Sequence, residues 1–197
     1  MALVIRTATP DDTGGILAIY RPFIEHSHSS FETEVPTLDA MGTRISSGME
    51  RFPWLVAAAD DMVAGYVYAG SHRSRTAYQW SVEVSVYIHP DYYRRNLGRA
   101  LYTALFAVLA AQGYFNAYAG ITPPNPGSLA LHTSMGFQYI GIYEKVGYKQ
   151  GAWHDVTWWV RVLHPHRTDP PSPLLFPTLP TEMVTAALAA GQALVRV

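Results

Sequence analysis

The sequence predicts an α+β fold, in which a twisted mixed sheet is flanked by helices. Residues 82–110 read as a strand, a turn and a long helix in direct succession. Strand-like and helix-like patterns then alternate irregularly along the rest of the chain, and no internal repeat occurs. From residue 164 the composition changes to proline-rich. We therefore expect one sheet packed against helices over residues 1–163, followed by a separate extension, 164–197.

The central strand is expected to begin near Tyr78 and to end at Pro90. Apolar β-branched residues occupy alternate positions within it: Val82, Val84, Val86 and Ile88. This alternation is typical of a strand, and Pro90 cannot continue the hydrogen-bonded ladder. Leucines and valines then recur at helical spacing from Leu97 to Leu109, which predicts a helix beginning near Leu97 or Gly98.

The turn between this strand and this helix predicts an anion-binding site. The first N–H groups of a helix have no partner in the helix, and the helix dipole adds positive potential there. Arg94, Arg95 and Arg99 surround the turn. Gly98 allows close approach to the backbone, and Asn96 tolerates the left-handed conformation. The alternative is a basic turn that is simply solvated.

Shorter patterns predict the other elements. They are a strand at 3–7, a helix from Pro10 that Pro22 disturbs and that ends within 23–36, a helix at 37–49, hairpin strands at 54–59 and 62–71, a strand at 114–121, a short helix after Asn125, and an antiparallel pair at 137–146 and 153–163 joined by the loop 147–152. Asp60 and Asp61 at the hairpin tip are interpreted as turn residues and not as metal ligands. His26 and His28 are interpreted as polar loop residues.

The C-terminal extension is expected to be extended first and helical afterwards. Residues 164–180 contain six of the chain's 14 prolines. Thr181 is expected to cap an alanine-rich helix from Glu182 to about Leu194. A short helix on such a tether is marginal alone, so we expect it to pack on the body of the protein or on a partner subunit. A flexible tail without function is the alternative.

The composition excludes several classes of function. The formal net charge of the 197 residues is −1, and no dense Lys/Arg run occurs, which argues against a nucleic-acid surface. Neither a membrane span nor a signal peptide is expected. The absence of cysteine excludes thiol catalysis and thiolate metal sites. We expect a cytoplasmic protein without a metal.

Several short motifs in a fixed order resemble a known superfamily. They are Ile19-Tyr20, Ser30-Phe31-Glu32, residues 53–57, residues 82–87, Asn125 to Phe137 with Leu131-His132 and Gly136-Phe137, and residues 151–156. Together with the turn before Leu97, they resemble the GNAT superfamily of acetyl-CoA-dependent N-acetyltransferases over residues 3–163. The nearest subfamily resembles the phosphinothricin and methionine sulfoximine acetyltransferases. The phosphate loop departs from the usual pattern, since Tyr93 stands for Gln/Arg and Asn96 for the first Gly.

The resemblance implies acetyl-CoA as co-substrate and Glu83 as general base, with a surface glutamate as the alternative for that residue. A backbone N–H near residues 84–86 would hold the oxyanion if the strand bulges there, and the pantetheine arm would lie along Val86 and Ile88. His132 would protonate the leaving thiolate or orient the reactants, with a helix-packing histidine as the alternative. The remaining cofactor-binding residues would be Arg94, Arg95, Asn96, Leu97, Gly98, Arg99, Ala100, Asn125 and Ser128.

The acceptor implied by the resemblance is a small amino acid with a second anionic or strongly polar group. Arg73 and Arg75 could clamp its carboxylate, Phe31 and Trp80 would form an apolar wall, and Tyr78 would be wall or core. The resemblance also implies a homodimer. Two alternatives stay open: an N-acetyltransferase of a peptide N-terminus or a polyamine, and a non-catalytic acyl-CoA sensor.

Overall fold

A computed structural model describes residues 3–59 and 62–196, and within them seven strands form one mixed sheet with five α-helices around it. In chain order the elements are β1 (Val4–Thr7), α1 (Thr13–Glu25), α2 (Leu38–Met49), β2 (Trp54–Ala59), β3 (Met62–Ser71), β4 (Ser81–Ile88), α3 (Leu97–Gln112), β5 (Asn116–Ile121), α4 (Pro126–Ser134), β6 (Gln138–Lys149), β7 (Ala152–Val162) and α5 (Thr181–Gln192). The strand order is β1-β2-β3-β4-β5-β7-β6. The predicted α+β class is therefore confirmed.

Each face of the sheet covers its own apolar core. Because side chains alternate along a strand, Val82 and Val84 of β4 face α3, whose Leu101 and Leu105 are fully buried. On the other face α1 and α2 pack over an aromatic group that includes Tyr66. Burying one leucine side chain contributes about 1.5–3 kcal/mol, so these two cores fix β4 in the middle of the molecule.

The helix α1 continues past the proline that was expected to disturb it. Pro22 lies inside α1, which ends at Glu25. A proline within a helix removes one hydrogen bond and strains the preceding turn. The buried face of α1, which includes Ile16, Tyr20 and Ile24, spans both sides of Pro22 and holds the helix together.

Three other predicted boundaries were wrong. The central strand begins at Ser81, because 76–78 form a 3₁₀ turn. The strands β6 and β7 extend to Lys149 and Ala152, so a tight turn replaces the predicted loop 147–152. Its two residues, Gln150 and Gly151, both have positive φ. Pro180, not Thr181, precedes the last helix.

The strands β4 and β5 part after three pairs of residues. They pair in parallel only at Ser81–Asn116, Val82–Ala117 and Glu83–Tyr118, as far as the described residues go. On its other side β4 stays paired with β3 up to Ile88 without a register shift. The bulge expected near residues 84–86 is therefore not formed against β3. Instead, the divergence of β5 leaves residues 84–88 of β4 as a free edge.

Two further expectations concern the hairpin turn between β2 and β3 and membrane-spanning helices. The expected turn at Asp60 and Asp61 lies outside the described residues. Across 3–59 and 62–196, the helices are all too short or too polar to cross a membrane.

Candidate active site

A cleft of about 610 Å³ opens where β4 and β5 part. Its walls come from four segments: the free edge of β4, the turn into α3, the end of β5, and α4. The lining residues lie within 84–88, 92–94, 96–99, 120–122 and 125–134, with Phe23, Ser29 and Tyr102 completing the wall. A free strand edge, a helix N-terminus and a second helix thus converge on one space.

The turn into α3 has the geometry of an anion nest. Arg94 has φ 62° and Asn96 has φ 63°, both in the left-handed region. That conformation costs about 1–2 kcal/mol for most L-residues and less for Asn. Left-handed residues are typical of turns whose backbone N–H groups bind anions, and α3 begins at the next residue, Leu97. The left-handed Asn96 expected from the sequence is confirmed.

Gly98 has a packing role in addition to the one expected. A Cβ atom on Gly98 would lie 2.8 Å from Leu131 Cδ2 of α4. The glycine therefore lets α4 approach the first turn of α3, and the two helices together form the narrow end of the cleft.

The three arginines of the turn do not share one environment. Arg94 and Arg99 line the cleft. The Arg95 guanidinium lies 5.0 Å from the centre of the Tyr92 ring, and Arg95 is absent from the lining among the described residues. Ala100 is fully buried against the core and does not face the cleft. The sequence could not predict which of these side chains face the cleft, because all lie in the same short turn or just after it.

Asn125 immediately precedes α4, and both polar atoms of its side-chain amide are hydrogen-bonded. Its Oδ1 accepts a hydrogen bond from the Ser128 N–H at 3.1 Å, which caps the helix. Its Nδ2 donates to Ser29 Oγ at 3.3 Å. Asn125 and Ser128 both line the cleft.

His132 is buried and held as a neutral imidazole. Its Nδ1 lies 2.8 Å from the Ser128 carbonyl and therefore donates a proton to it, while its Nε2 accepts from the Tyr102 hydroxyl, also at 2.8 Å. Burial lowers the pKa of His132 by disfavouring the charged ring, although the Ser128 carbonyl acts in the opposite direction. Burial likewise raises the pKa of Tyr102. Sequence reasoning missed Tyr102, because on α3 it reads as one more core position.

Glu83 lies at the last residue pair before β4 and β5 separate. Its Oε1 is 3.0 Å from His72 Nδ1 and 3.1 Å from Arg73 Nη1. The His72 ring stacks on Tyr118 with centroids 4.2 Å apart. The Glu83 side chain is 38% exposed, so solvent reaches this group. His72 was not predicted, since nothing in the sequence relates it to Glu83.

The Glu83 group adjoins the cleft without lining it. The Arg73 guanidinium lies 5.7 Å from the Trp158 ring centre. Trp158 in turn packs against Gly120, where an added Cβ would be 3.6 Å from the ring, and Gly120 lines the cleft. Trp158 therefore lies near both Arg73 and Gly120, and it was not anticipated from the sequence.

The residues expected to bind the acceptor lie outside the main cleft. Phe31 packs against Gly147 of β6, where an added Cβ would be 2.2 Å from the ring. Tyr78 is 42% exposed and stands edge-on to His72, so it is not a core residue. Arg75 is exposed. Like Arg73, these three do not contribute to the lining formed by the described residues.

Trp80 was wrongly expected in the apolar wall. Its Nε1 donates to the Pro171 carbonyl at 2.8 Å, and it lines a separate, smaller cavity beside the C-terminal extension. Residues 3–59 and 62–196 contain no group of three or more His, Asp or Glu side chains that could hold a metal ion.

The comparisons with known proteins decide the family. The family model described as "Acetyltransferase (GNAT) domain" matches residues 5–158. The chain belongs to the GNAT acetyltransferase family. The resemblance seen in the sequence is therefore confirmed, and the protein is an N-acetyltransferase.

Curated relatives and solved structures extend this match over most of the chain. The phosphinothricin N-acetyltransferase of Streptomyces viridochromogenes is 40% identical over 157 residues, covering 80% of this chain and 86% of the relative. The L-methionine sulfoximine/L-methionine sulfone acetyltransferase of Salmonella typhimurium is 31% identical, covering 83% and 96%. The crystal structure of a phosphinothricin acetyltransferase from Sinorhizobium meliloti, in complex with AcCoA, has 32% identity and a TM-score of 0.81, covering 91% and 98%.

Proposed function

We propose that this protein transfers the acetyl group of acetyl-CoA to the amino group of a small amino-acid-like acceptor of the phosphinothricin, methionine sulfoximine or methionine sulfone type. One observation carries the proposal. The Glu83 carboxylate lies at the last pair of β4 and β5, so a potential base adjoins the free strand edge and the cleft that begin at the next residue. The activities named for the relatives support the acceptor class.

Acetyl-CoA is the co-substrate, and the cleft has features that suit it. The free edge of β4 at Val86 and Ile88 offers N–H and C=O groups to the pantetheine amides, as an added strand would. The turn into α3 offers backbone N–H groups to the pyrophosphate, and Arg94 and Arg99 add positive charge. The cleft volume lies within the range of small-ligand sites.

The reaction requires a free amine, a stabilised oxyanion and a leaving thiolate. Glu83 takes a proton from the acceptor ammonium, directly or through water, since its side chain is partly exposed. The amine nitrogen then bonds to the thioester carbonyl carbon, the tetrahedral adduct releases the second nitrogen proton to solvent, and its collapse breaks the C–S bond. Backbone N–H groups on the free edge at residues 84–86 stabilise the negative charge on the carbonyl oxygen.

The Tyr102–His132 pair is assigned to the thiolate leaving group. Because burial keeps His132 neutral, we assign it the role of orienting the Tyr102 hydroxyl, not that of an imidazolium acid. The hydroxyl hydrogen-bonds the thiolate as it forms. Solvent supplies the proton with which free coenzyme A leaves.

The acceptor binds on the Glu83 side of the cleft. Arg73 and Arg75 supply guanidinium groups for its carboxylate, and we assign Phe31 and Tyr78 to its walls. A polyamine acceptor is disfavoured here, because the loop after β3 carries two arginines and would repel a second ammonium group.

Replacing Glu83 tests the mechanism. The Glu83→Gln change should lower kcat by about 10²–10⁴-fold, the usual contribution of a general base, while leaving the Kd for coenzyme A unchanged. Glu182→Gln, an exposed site on α5, is the matched control. Thiol release would be followed with a panel of amino acids, sulfones, phosphinates, diamines and peptides. Full activity of Glu83→Gln would overturn the base assignment. Turnover of the wild-type protein confined to peptides or diamines would overturn the acceptor class. Binding of coenzyme A by the wild-type protein without turnover on any acceptor would favour an acyl-CoA sensor.

We also propose that the protein is a homodimer formed through the β6–β7 hairpin. The strand β6 is the last strand of the sheet, and the hairpin exposes large apolar side chains that a second copy would cover: Tyr139, Ile140, Ile142, Tyr143, Tyr148 and Trp153. Trp153→Glu should produce a monomer in sedimentation velocity, whereas Leu38→Glu, a control at another exposed apolar residue, should not. A monomeric wild-type protein would contradict the proposal.

The cytoplasmic location stays a prediction.

A further inference from the structure

The Glu83 carboxylate receives two hydrogen bonds on the same oxygen atom. His72 Nδ1 lies 3.0 Å from Glu83 Oε1, and Arg73 Nη1 lies 3.1 Å from it. Because an ionised carboxylate can only accept hydrogen bonds, His72 Nδ1 is the donor in the first of these. Within residues 3–59 and 62–196, the other oxygen, Oε2, has no hydrogen-bond partner. It is therefore the oxygen that is left for a proton from the acceptor.

The His72 ring is held by aromatic neighbours from three parts of the fold. It stacks on Tyr118 of β5, with centroids 4.2 Å apart and an angle of 13° between the rings. Tyr78 and Trp158 meet it edge-on at 6.0 Å and 6.1 Å. The His72 side chain is 12% exposed, against 38% for Glu83, so the imidazole is the more firmly held partner of the pair.

The backbone around His72 is anchored as well. Ser71, the last residue of β3, pairs with Val82 of β4, so His72 directly follows two paired strands. The loop after it ends at Trp80, which donates to the Pro171 carbonyl of the C-terminal extension. The helix of that extension, α5, packs on α3 of the same chain. The position of the imidazole is therefore set by the sheet and by the packed extension.

Arg73 is less suited to hold the base by itself. We have assigned it to the acceptor carboxylate, and its guanidinium then shares its donors between two carboxylates. Arg73 is also exposed, whereas the His72 ring is largely enclosed. No part of the acceptor is assigned to His72, so its hydrogen bond to Glu83 does not depend on whether the acceptor is present.

We propose that His72 is a positioning residue for the acetyl transfer, whose Nδ1–H group holds Glu83 Oε1 and so keeps Oε2 in one orientation for the acceptor ammonium. The inference rests on the proposed role of Glu83 as the general base. A base acts only within about 2.6–3.2 Å of the atom whose proton it removes, or through one water. A partly exposed glutamate side chain can occupy several rotamers, and the fixed imidazole restricts them. In this role His72 takes up no proton.

Two substitutions separate the hydrogen bond from the packing of the ring. His72→Phe keeps an aromatic ring against Tyr118 and removes the donor, whereas His72→Asn keeps an N–H donor near the Nδ1 position and removes the ring. His72→Phe should lower kcat by about 10–100-fold, as a small misplacement of a reacting group does, with an unchanged Kd for coenzyme A. His72→Asn should stay within a few-fold of wild type. The control is His26→Phe, at an exposed histidine, with thermal unfolding of every variant to check folding.

A double-mutant cycle connects the effect to Glu83. In a Glu83→Gln background the base is already lost, so adding His72→Phe should leave the residual kcat unchanged. Equal fold losses in both backgrounds would mean that His72 only shapes the site, and would overturn the inference. A His72→Phe protein with wild-type kcat, or a His72→Asn protein as impaired as His72→Phe, would overturn it too. Wild-type kcat in Glu83→Gln would instead overturn the base assignment itself.

Discussion

The Arg73 guanidinium lies 3.1 Å from the Glu83 carboxylate, so a residue proposed to bind the acceptor is paired with the proposed base. Arg73 also donates to the His72 carbonyl at 2.8 Å. An acceptor carboxylate that binds Arg73 therefore competes with Glu83 for the same cation, whereas the exposed Arg75 is free of this competition. The two arginines should consequently differ in their contribution to acceptor binding.

Replacing Arg73 should affect acceptors with and without a carboxylate differently. Arg73→Gln should raise the KM for a carboxylate acceptor by about 10–100-fold, because one charge-assisted hydrogen bond contributes about 1.5–3 kcal/mol. With the matching carboxamide acceptor the change should be much smaller. Arg75→Gln is measured in parallel, because Arg75 is proposed to bind the same carboxylate without contacting Glu83. If Arg75→Gln produced the larger selective effect, Arg75 and not Arg73 would be the carboxylate-binding residue.

Burial of His132 should make stability depend on pH. Its pKa is lowered on folding from 6.5, so below about that pH the unfolded chain binds more protons than the folded one. The free energy of unfolding should therefore fall as the pH decreases from 6.5, by at most about 1.4 kcal/mol per pH unit from this residue. Urea unfolding would be measured between about pH 5 and 8, the range in which histidine titrates, and compared for wild type and His132→Gln. A His132→Gln profile that parallels the wild type would contradict this assignment.

Gly191 should be intolerant of a side chain. An added Cβ would meet the Ala100 carbonyl oxygen at 2.6 Å and the Ala104 Cβ at 2.9 Å, and neither belongs to a flexible side chain. Gly191→Ala should destabilise the protein by about 1–3 kcal/mol, as overpacking does. Gly14→Ala, in a helical site with nothing within 4 Å, should instead be neutral or stabilise by up to about 1 kcal/mol. Both would be measured by urea unfolding, and equal stabilities would show that α5 does not pack on α3 as described.

Gly147 should control acceptor binding through Phe31. An added Cβ would overlap the Phe31 ring at 2.2 Å, so Gly147→Ala must displace that ring. If Phe31 borders the bound acceptor, the KM for the acceptor should rise several-fold in Gly147→Ala, while the Kd for coenzyme A stays unchanged. The same Gly14→Ala protein serves as control. An unchanged acceptor KM would remove Phe31 from the acceptor site.

The sequence predicted the local elements well where pattern and turn chemistry agreed. The strand at 54–59, the helix from Leu97 and the helix after Asn125 were all located correctly. Their apolar periodicity and their caps are local properties. Pro22 was misjudged because a local signal for a helix break is outweighed by burial on both sides of it.

The candidate site was predictable in outline and not in detail. Arg94 and residues 96–99 were anticipated along the cleft because a helix N-terminus has the same chemistry in any fold, whereas Asn125, Ser128 and His132 were anticipated from the family resemblance. His72, Tyr102 and Trp158 were missed, since their roles depend on which side chain lies opposite in space. For the same reason the sequence could not predict that Trp80 contacts the extension.

By itself the sequence determined the α+β class, the left-handed Asn96 and the family, because these rest on local patterns and on the order of those patterns along the chain. The tertiary structure alone decided that β4 and β5 part after Glu83, that Arg73 pairs with this carboxylate, and that Leu194 holds Asn96 from 98 residues away. Such contacts join distant segments. Their free energy comes from the shared cores that bring the segments together, and no local pattern encodes it.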